Sequence, residues 1–162
     1  MLFTACNTTT PEKYFDVAVL NMNLVHGFAD DKMMRELAEP AVKLKEGTTD
    51  QTEPQKRTEV IENKIRSIEE NYQKVKSLTP TDETKDIIRA SIEIYEYVLP
   101  VYKTEYTQLA KSLDNDAPIS ELHNLAGAVR DKYNSGYTER MNKLVELGKK
   151  YASDNSINVK WD

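Results

Sequence analysis

Eight apolar residues in the third quarter of the chain, Ile88, Ile92, Tyr95, Leu99, Tyr102, Tyr106, Leu109 and Leu113, follow one another at strictly alternating spacings of four and three. This pattern constrains the fold more than any other feature. At 3.6 residues per turn it places all eight side chains on one stripe of a helix, and a stripe that long has to be covered by a partner helix. A second set, Ile87, Ser91, Ile94, Val98 and Val101, widens the stripe, so this helix is expected to contact two neighbours. Thr79-Pro80 is read as its start, and Pro100 predicts a kink.

Three further segments carry helical spacing. The first is read as helix from Pro11 to Glu46, capped by Thr10, with Tyr14, Val17, Leu24 and Phe28 on one stripe. A bend or break is expected at His26-Gly27, and Pro40 predicts a kink. Thr52-Glu53-Pro54-Gln55 reads as a capping box opening a second helix, whose seam is Ile61, Ile65, Ile68, Tyr72 and Val75. The fourth begins near Pro118 and runs through Leu122, Val129, Tyr133, Tyr137, Leu144 and Tyr151; Gly127, Gly136 and Gly148 interrupt it and mark close contacts or distortion. Short polar turns between helices of similar length favour antiparallel neighbours. The expected fold is all-α, an elongated antiparallel up-down-up-down four-helix bundle, with a three-helix bundle and a split first segment as the alternative.

Composition bounds the rest. With 162 residues, 39% hydrophobic and 30% charged, the chain fits one domain with solvated helix faces. A net charge of −5 argues against a nucleic-acid partner, which calls for clustered basic residues. The expected division is residues 1–10 as the remnant of a lipoprotein signal peptide and tether, 11–155 as the bundle, and 156–162 as a C-terminal tail folding back through Ile157, Val159 and Trp161.

The single cysteine, Cys6, follows Thr4-Ala5 and precedes the polar stretch Asn7-Thr8-Thr9-Thr10-Pro11. This resembles the end of a bacterial lipoprotein signal peptide, where small residues precede the cysteine that becomes lipidated. The resemblance implies lipid attachment at Cys6 and a true start upstream of Met1. An intrachain disulfide is excluded by counting, and no neighbouring His or basic residue activates the thiol.

Motifs that carry chemistry do not emerge. Di-metal bundles use Glu-x-x-His pairs, but Asn23 stands three residues before His26 and Ser120 three before His123. His26 with Asp30, one turn apart, reads as a surface pair. Met22, Met33, Met34 and Met141 read as adaptable core residues rather than haem ligands. The 27 acidic residues offer no distinguishable catalytic pair, and there is no phosphate loop or nucleophile elbow. No metal, cofactor or catalytic residue is expected. Among nine tyrosines, Tyr97 lies off the main seam and is the candidate for a partner surface.

Taken together, Tyr14-Phe15-Asp16, the aromatic stretch from Tyr95 to Tyr106, and Tyr151-Ala152 followed by Asn155 to Val159 resemble an uncharacterised family of helical-bundle surface lipoproteins of spirochaetes and Bacteroidetes. That resemblance implies a lipid-anchored protein of the bacterial cell envelope, at the outer membrane or cell surface. The expected function is a non-catalytic interaction module tethered to the membrane through Cys6, with a protein or glycan partner. The alternative is a small-ligand or cofactor-binding bundle.

Overall fold

The computed structural model describes residues 9–161, and they are mostly helical. Thr10 accepts a hydrogen bond from Lys13 N–H at 3.3 Å and caps α1 (Pro11–Ala18), with Pro11 in the first turn where a missing N–H costs nothing. The first segment is not one helix to residue 46. A 3-10 turn (Leu20–Val25) follows α1, and then a loop whose Gly27 and Ala29 have φ of 79° and 55°. Asp30 caps α2 (Asp31–Ala38) by accepting from Lys32 N–H at 2.6 Å. Pro40 ends this segment rather than kinking it: Glu39 takes the extended conformation that a following proline favours.

The reading of residues 52–55 as a helix start is also corrected. β1 (Val42–Leu44) and β2 (Thr52–Pro54) form an antiparallel hairpin in which Lys43 faces Glu53 across the strands and Gly47, at φ 76°, helps turn the chain. α3 (Arg57–Lys76) starts after it and lacks a side-chain cap from the preceding residue. Its cap comes from the far end of another helix. Asp114 accepts from Arg57 N–H at 2.7 Å, Thr58 N–H at 3.0 Å and the Thr58 hydroxyl at 2.8 Å.

The turn after α3 is closed by a reciprocal pair. Thr81 N–H donates to Thr84 Oγ1 at 2.8 Å and Thr84 N–H to Thr81 Oγ1 at 3.2 Å. α4 (Lys85–Val101) thus begins later than Thr79-Pro80 suggested. It continues through Pro100 into a π-helical turn (Tyr102–Tyr106) and α5 (Thr107–Asp114). Two hydroxyls add to the bonding of this turn: Thr107 donates to Tyr102 O at 2.9 Å, and Thr104 shares its one proton between Pro100 O at 2.8 Å and the Glu105 carboxylate. α6 (Ile119–Asp154) runs 36 residues without a break, about 54 Å, so none of its three glycines interrupts it.

The continuous helix α4–α5 is central. It packs on α3 along its length and on α6, as its widened stripe implies; α1 packs across α3, α4 and α6, and α2 lies on α6. Six of the eight seam residues are buried, Ile92 and Leu113 are partly exposed, and Tyr95 and Tyr102 are wholly enclosed. The break in the first segment has a role in the core. Phe28, on the loop between the 3-10 turn and α2, is fully buried and meets Tyr97, Tyr102, Tyr106, Tyr133 and Tyr137 at ring separations of 5.1–6.4 Å. The buried loop cannot reach water, so its backbone pairs within the protein: Phe28 N–H donates to Val25 O and Asp30 N–H to Gly27 O, and side chains complete the set. Ala29 N–H donates to the Tyr106 hydroxyl at 2.8 Å, Asn134 donates to Ala29 O at 2.9 Å, and the Tyr137 hydroxyl to Val25 O at 2.7 Å. These bonds explain why the positions are tyrosine and not phenylalanine.

Candidate functional sites

Tyr97 is half-buried where α4 crosses α6. Gly136 makes the close approach possible: a Cβ there would lie 2.5 Å from the Tyr97 hydroxyl oxygen. That hydroxyl donates to Tyr133 O at 3.2 Å, and the Arg140 guanidinium stacks 4.2 Å from the ring centroid while donating to Gly136 O. One ring face is therefore engaged within the protein. The rest of Tyr97 borders an open groove of about 440 Å³ with Glu93, Glu96, Glu139, Arg140 and Lys143, and Lys143 pairs with Glu93 at 2.9 Å.

Beyond Tyr133 lies a more apolar groove of about 410 Å³, floored by Leu125, Ala128 and Val129. Glu105 stands at its rim. Burial alone would raise the Glu105 pKa, but hydrogen bonds from Thr104 and from Tyr133, the latter at 2.5 Å, together with Lys132, hold it below the ordinary carboxylate value.

A third cavity opens between the 3-10 turn, α6 and the C-terminal tail. Its volume is about 400 Å³. Met22, Met141, Leu144 and Val145 form an apolar floor, and Trp161 of the tail forms one wall. The tail is held by its side chains. Trp161 meets Phe15 edge-on at 5.8 Å, and a Cβ on Gly148 would lie 3.2 Å from the indole and 3.0 Å from Val19. The rim consists of Asn23, His26, Lys32 and Lys160, and among the described residues lining this cleft none is acidic. Lys32 reaches the rim by laying its stem over the loop, where its Cδ would be 3.0 Å from a Cβ on Gly27.

The hairpin carries two of the exposed large apolar residues; Ile119 at the start of α6 and Leu20 in the 3-10 turn lie elsewhere. Val42 and Leu44 are 61% and 60% exposed on the same face as Thr52 and Pro54. The opposite face is polar and fastened to the body. Lys43 bonds Glu59 of α3 at 2.9 Å and lies 3.7 Å from Glu53; the Glu59 hydrogen bond is the main reason its pKa is raised. This places the hairpin at the end of α3 opposite the start of α1, because the Tyr14 hydroxyl donates to Thr79 O, just beyond the α3 C-terminus, at 2.6 Å. The two ends are separated by the 20 residues of α3, about 30 Å.

Several sequence expectations meet the structure here. Cys6 lies outside the described residues. His26 is exposed on the cleft rim, while Asp30 spends its carboxylate on the α2 cap; His123 is exposed on α6. No cluster of three or more metal-ligating side chains occurs among the described residues, and no described helix is long and apolar enough to cross a membrane. The hydroxyls of Tyr95 and Tyr102 are buried without a partner, and burial raises both pKa values well above the usual tyrosine range. Tyr106 is pushed up to about 12 by burial, moderated by the Ala29 N–H. Lys64, half-buried on α3, has its pKa lowered by desolvation.

Neither the cleft nor the hairpin was read from sequence. The cleft joins residues near positions 20, 30, 145 and 160, a juxtaposition that only the fold creates. The hairpin did leave a signal, the alternation Val42-Lys43-Leu44 and Thr52-Glu53-Pro54 around Gly47. No known protein family, curated protein or solved structure matches the chain.

Proposed function

We infer that the protein is a non-catalytic interaction module tethered to a bacterial envelope membrane through lipid on Cys6, at the outer membrane or cell surface. One arrangement supports this reading more than any other. Four residue steps separate Cys6 from the Thr10 cap, a reach of at most about 14 Å, so a lipid there would hold the α1 end of the domain close to the bilayer. The hairpin, with Val42 and Leu44 exposed, occupies the opposite end. A tether at one end and exposed apolar residues at the other suit a module that reaches away from its membrane toward a protein or glycan partner.

In this reading the domain acts as an up-and-down bundle whose fourth member is the broken segment 11–38, as in the envelope lipoproteins that the sequence resembles. The test is mass spectrometry of the full-length chain expressed behind a complete lipoprotein leader, wild type against Cys6→Ala. A lipid-sized mass increase present only in the wild type is the expected result; equal unmodified masses would refute the tether.

A second reading, a small-ligand-binding bundle, is favoured by the cleft beside Trp161. Its volume lies within the range of small-molecule sites, and it combines an apolar floor with a few polar groups at the mouth.

A further inference from the structure

We propose that the cleft between the 3-10 turn, α6 and the C-terminal tail binds amphiphilic carboxylates, molecules with an apolar body and one anionic head. The proposal rests on the small-ligand reading above and is independent of lipid on Cys6.

The shape accounts for the apolar half. Leu144 and Met22 are each 1% exposed and close the bottom, while Met141 and Val145 are half-buried and leave part of their surface open to the cavity. The tail already demonstrates what this surface accepts. Lys160 and Asn158 point to solvent, whereas Val159 and Trp161 settle against the core, and beyond the Ile157 N–H bond to Ala152 O the tail has no backbone bond to the body among the described residues. Phe15 meets the Trp161 ring edge-on, the ring lies against Gly148, and the Lys149 ammonium sits 5.7 Å from its centroid, so an alkyl or aryl group finds compatible chemistry beside it.

The charge accounts for the head group. The protein carries a net charge of −5, yet Lys32 and Lys160 both line this cleft with His26 and Asn23, and among the described lining residues there is no carboxylate. Lys32 has only a loose partner, Glu36 at 3.8 Å, and both groups are about half exposed. Lys160 has no ion-pair partner among the described residues. Two ammonium groups at the mouth of an apolar cavity match a carboxylate on an apolar chain and disfavour a cationic head. The other grooves lack this combination: the one beside Tyr97 contains three glutamates and the one beside Tyr133 contains Glu105.

Trp161 is the only tryptophan, so its fluorescence reports directly on the cleft wall. The experiment titrates the full chain with octanoate, octanol and octyltrimethylammonium, with far-UV circular dichroism to verify that the helices persist. Octanoate is expected to shift the emission saturably, with octanol weaker and the cation weakest. Replacing both Lys32 and Lys160 with Ala should weaken octanoate by roughly ten-fold while leaving octanol unchanged, since two exposed charge contacts together contribute on that scale. Val145→Phe, which fills the cavity from its half-buried side, should abolish the response to all three. Equal binding of octanoate and the cation, or an unchanged octanoate affinity in the double variant, would overturn the anionic class while leaving a ligand site. No saturable response to any probe would overturn both.

Discussion

Two glycines on the same helix make opposite predictions for the same substitution. Gly→Ala in a helix interior is worth about 1 kcal/mol of stability when the added methyl fits. At Gly127 it fits: the nearest atom a Cβ would meet is the end of the Arg130 side chain at 4.0 Å. Gly127→Ala should therefore stabilise by about 1 kcal/mol, or about 2–4 °C in Tm for a domain of this size. At Gly136 the same methyl would lie 2.5 Å from the Tyr97 hydroxyl oxygen, 3.1 Å from Tyr97 Cζ and 3.3 Å from the Arg140 guanidinium. Tyr97 cannot swing away freely, because Phe28 and Tyr133 pack against its ring. Overpacking of this kind costs about 1–3 kcal/mol, and displacing the hydroxyl from Tyr133 O adds about 1 kcal/mol. Against the propensity gain, Gly136→Ala should destabilise by about 1–3 kcal/mol. Urea denaturation followed by circular dichroism measures both variants. The cause is isolated by repeating Gly136→Ala in a Tyr97→Phe background, where the closest atom is gone and the penalty should fall by at least about 1 kcal/mol. A Gly136→Ala protein as stable as Gly127→Ala, or a cycle without coupling, would refute the close approach.

The buried tyrosines should also divide. Tyr137→Phe removes one of two donors to the Val25 carbonyl, which keeps Phe28 N–H, and should cost about 0.5–1.5 kcal/mol, whereas Tyr102→Phe removes a hydroxyl that has no partner and should be neutral or stabilising in the same urea assay. Asp114 supplies the cap of α3, so Asp114→Ala should cost about 1–2 kcal/mol at pH 7. Burial opposes ionisation of Asp114, but the hydrogen bonds from Thr58 and Arg57 and the charge of Lys56 prevail, and its folded pKa is lowered. Its stabilisation is thus complete above the unfolded carboxylate value near about 4 and fades as pH falls through the folded value. The gap between wild type and Asp114→Ala should narrow at acidic pH; an equal gap at pH 7 and pH 3 would contradict the charged cap.

What the sequence revealed follows the range of each interaction. The seams of α3, α4–α5 and α6 were legible because helical burial is written in spacings of three and four, and the Thr10-Pro11 start because a cap is local. Thr52-Glu53-Pro54-Gln55 misled for the complementary reason. It has the composition of a cap, but the cap that α3 uses is Asp114, more than fifty positions away, and no local pattern announces it. Gly27 signalled the break in the first segment, yet nothing nearby showed that Phe28 would be carried into the core by it. At the candidate sites, the off-seam position of Tyr97 is visible in the spacing, and the structure accounts for it by Gly136 beneath the ring. The cationic rim of the cleft gave no local signal, since Lys32 and Lys160 come from opposite ends of the chain.

The loop that carries Phe28 sets an order of events. Its backbone groups wait for Tyr106, Asn134 and Tyr137, which lie 77, 105 and 112 positions downstream. A ribosome adding about 5–20 residues per second takes roughly 5–20 s to cover that distance. For that interval α1 and the 3-10 turn can already meet α3 and α4, which pair through contacts close in sequence, but the loop lacks the α6 side chains that satisfy it and Phe28 lacks Tyr133 and Tyr137. The Phe28 loop therefore settles only once α6 is made, and until then it stays available to whatever cellular machinery handles unfolded chains.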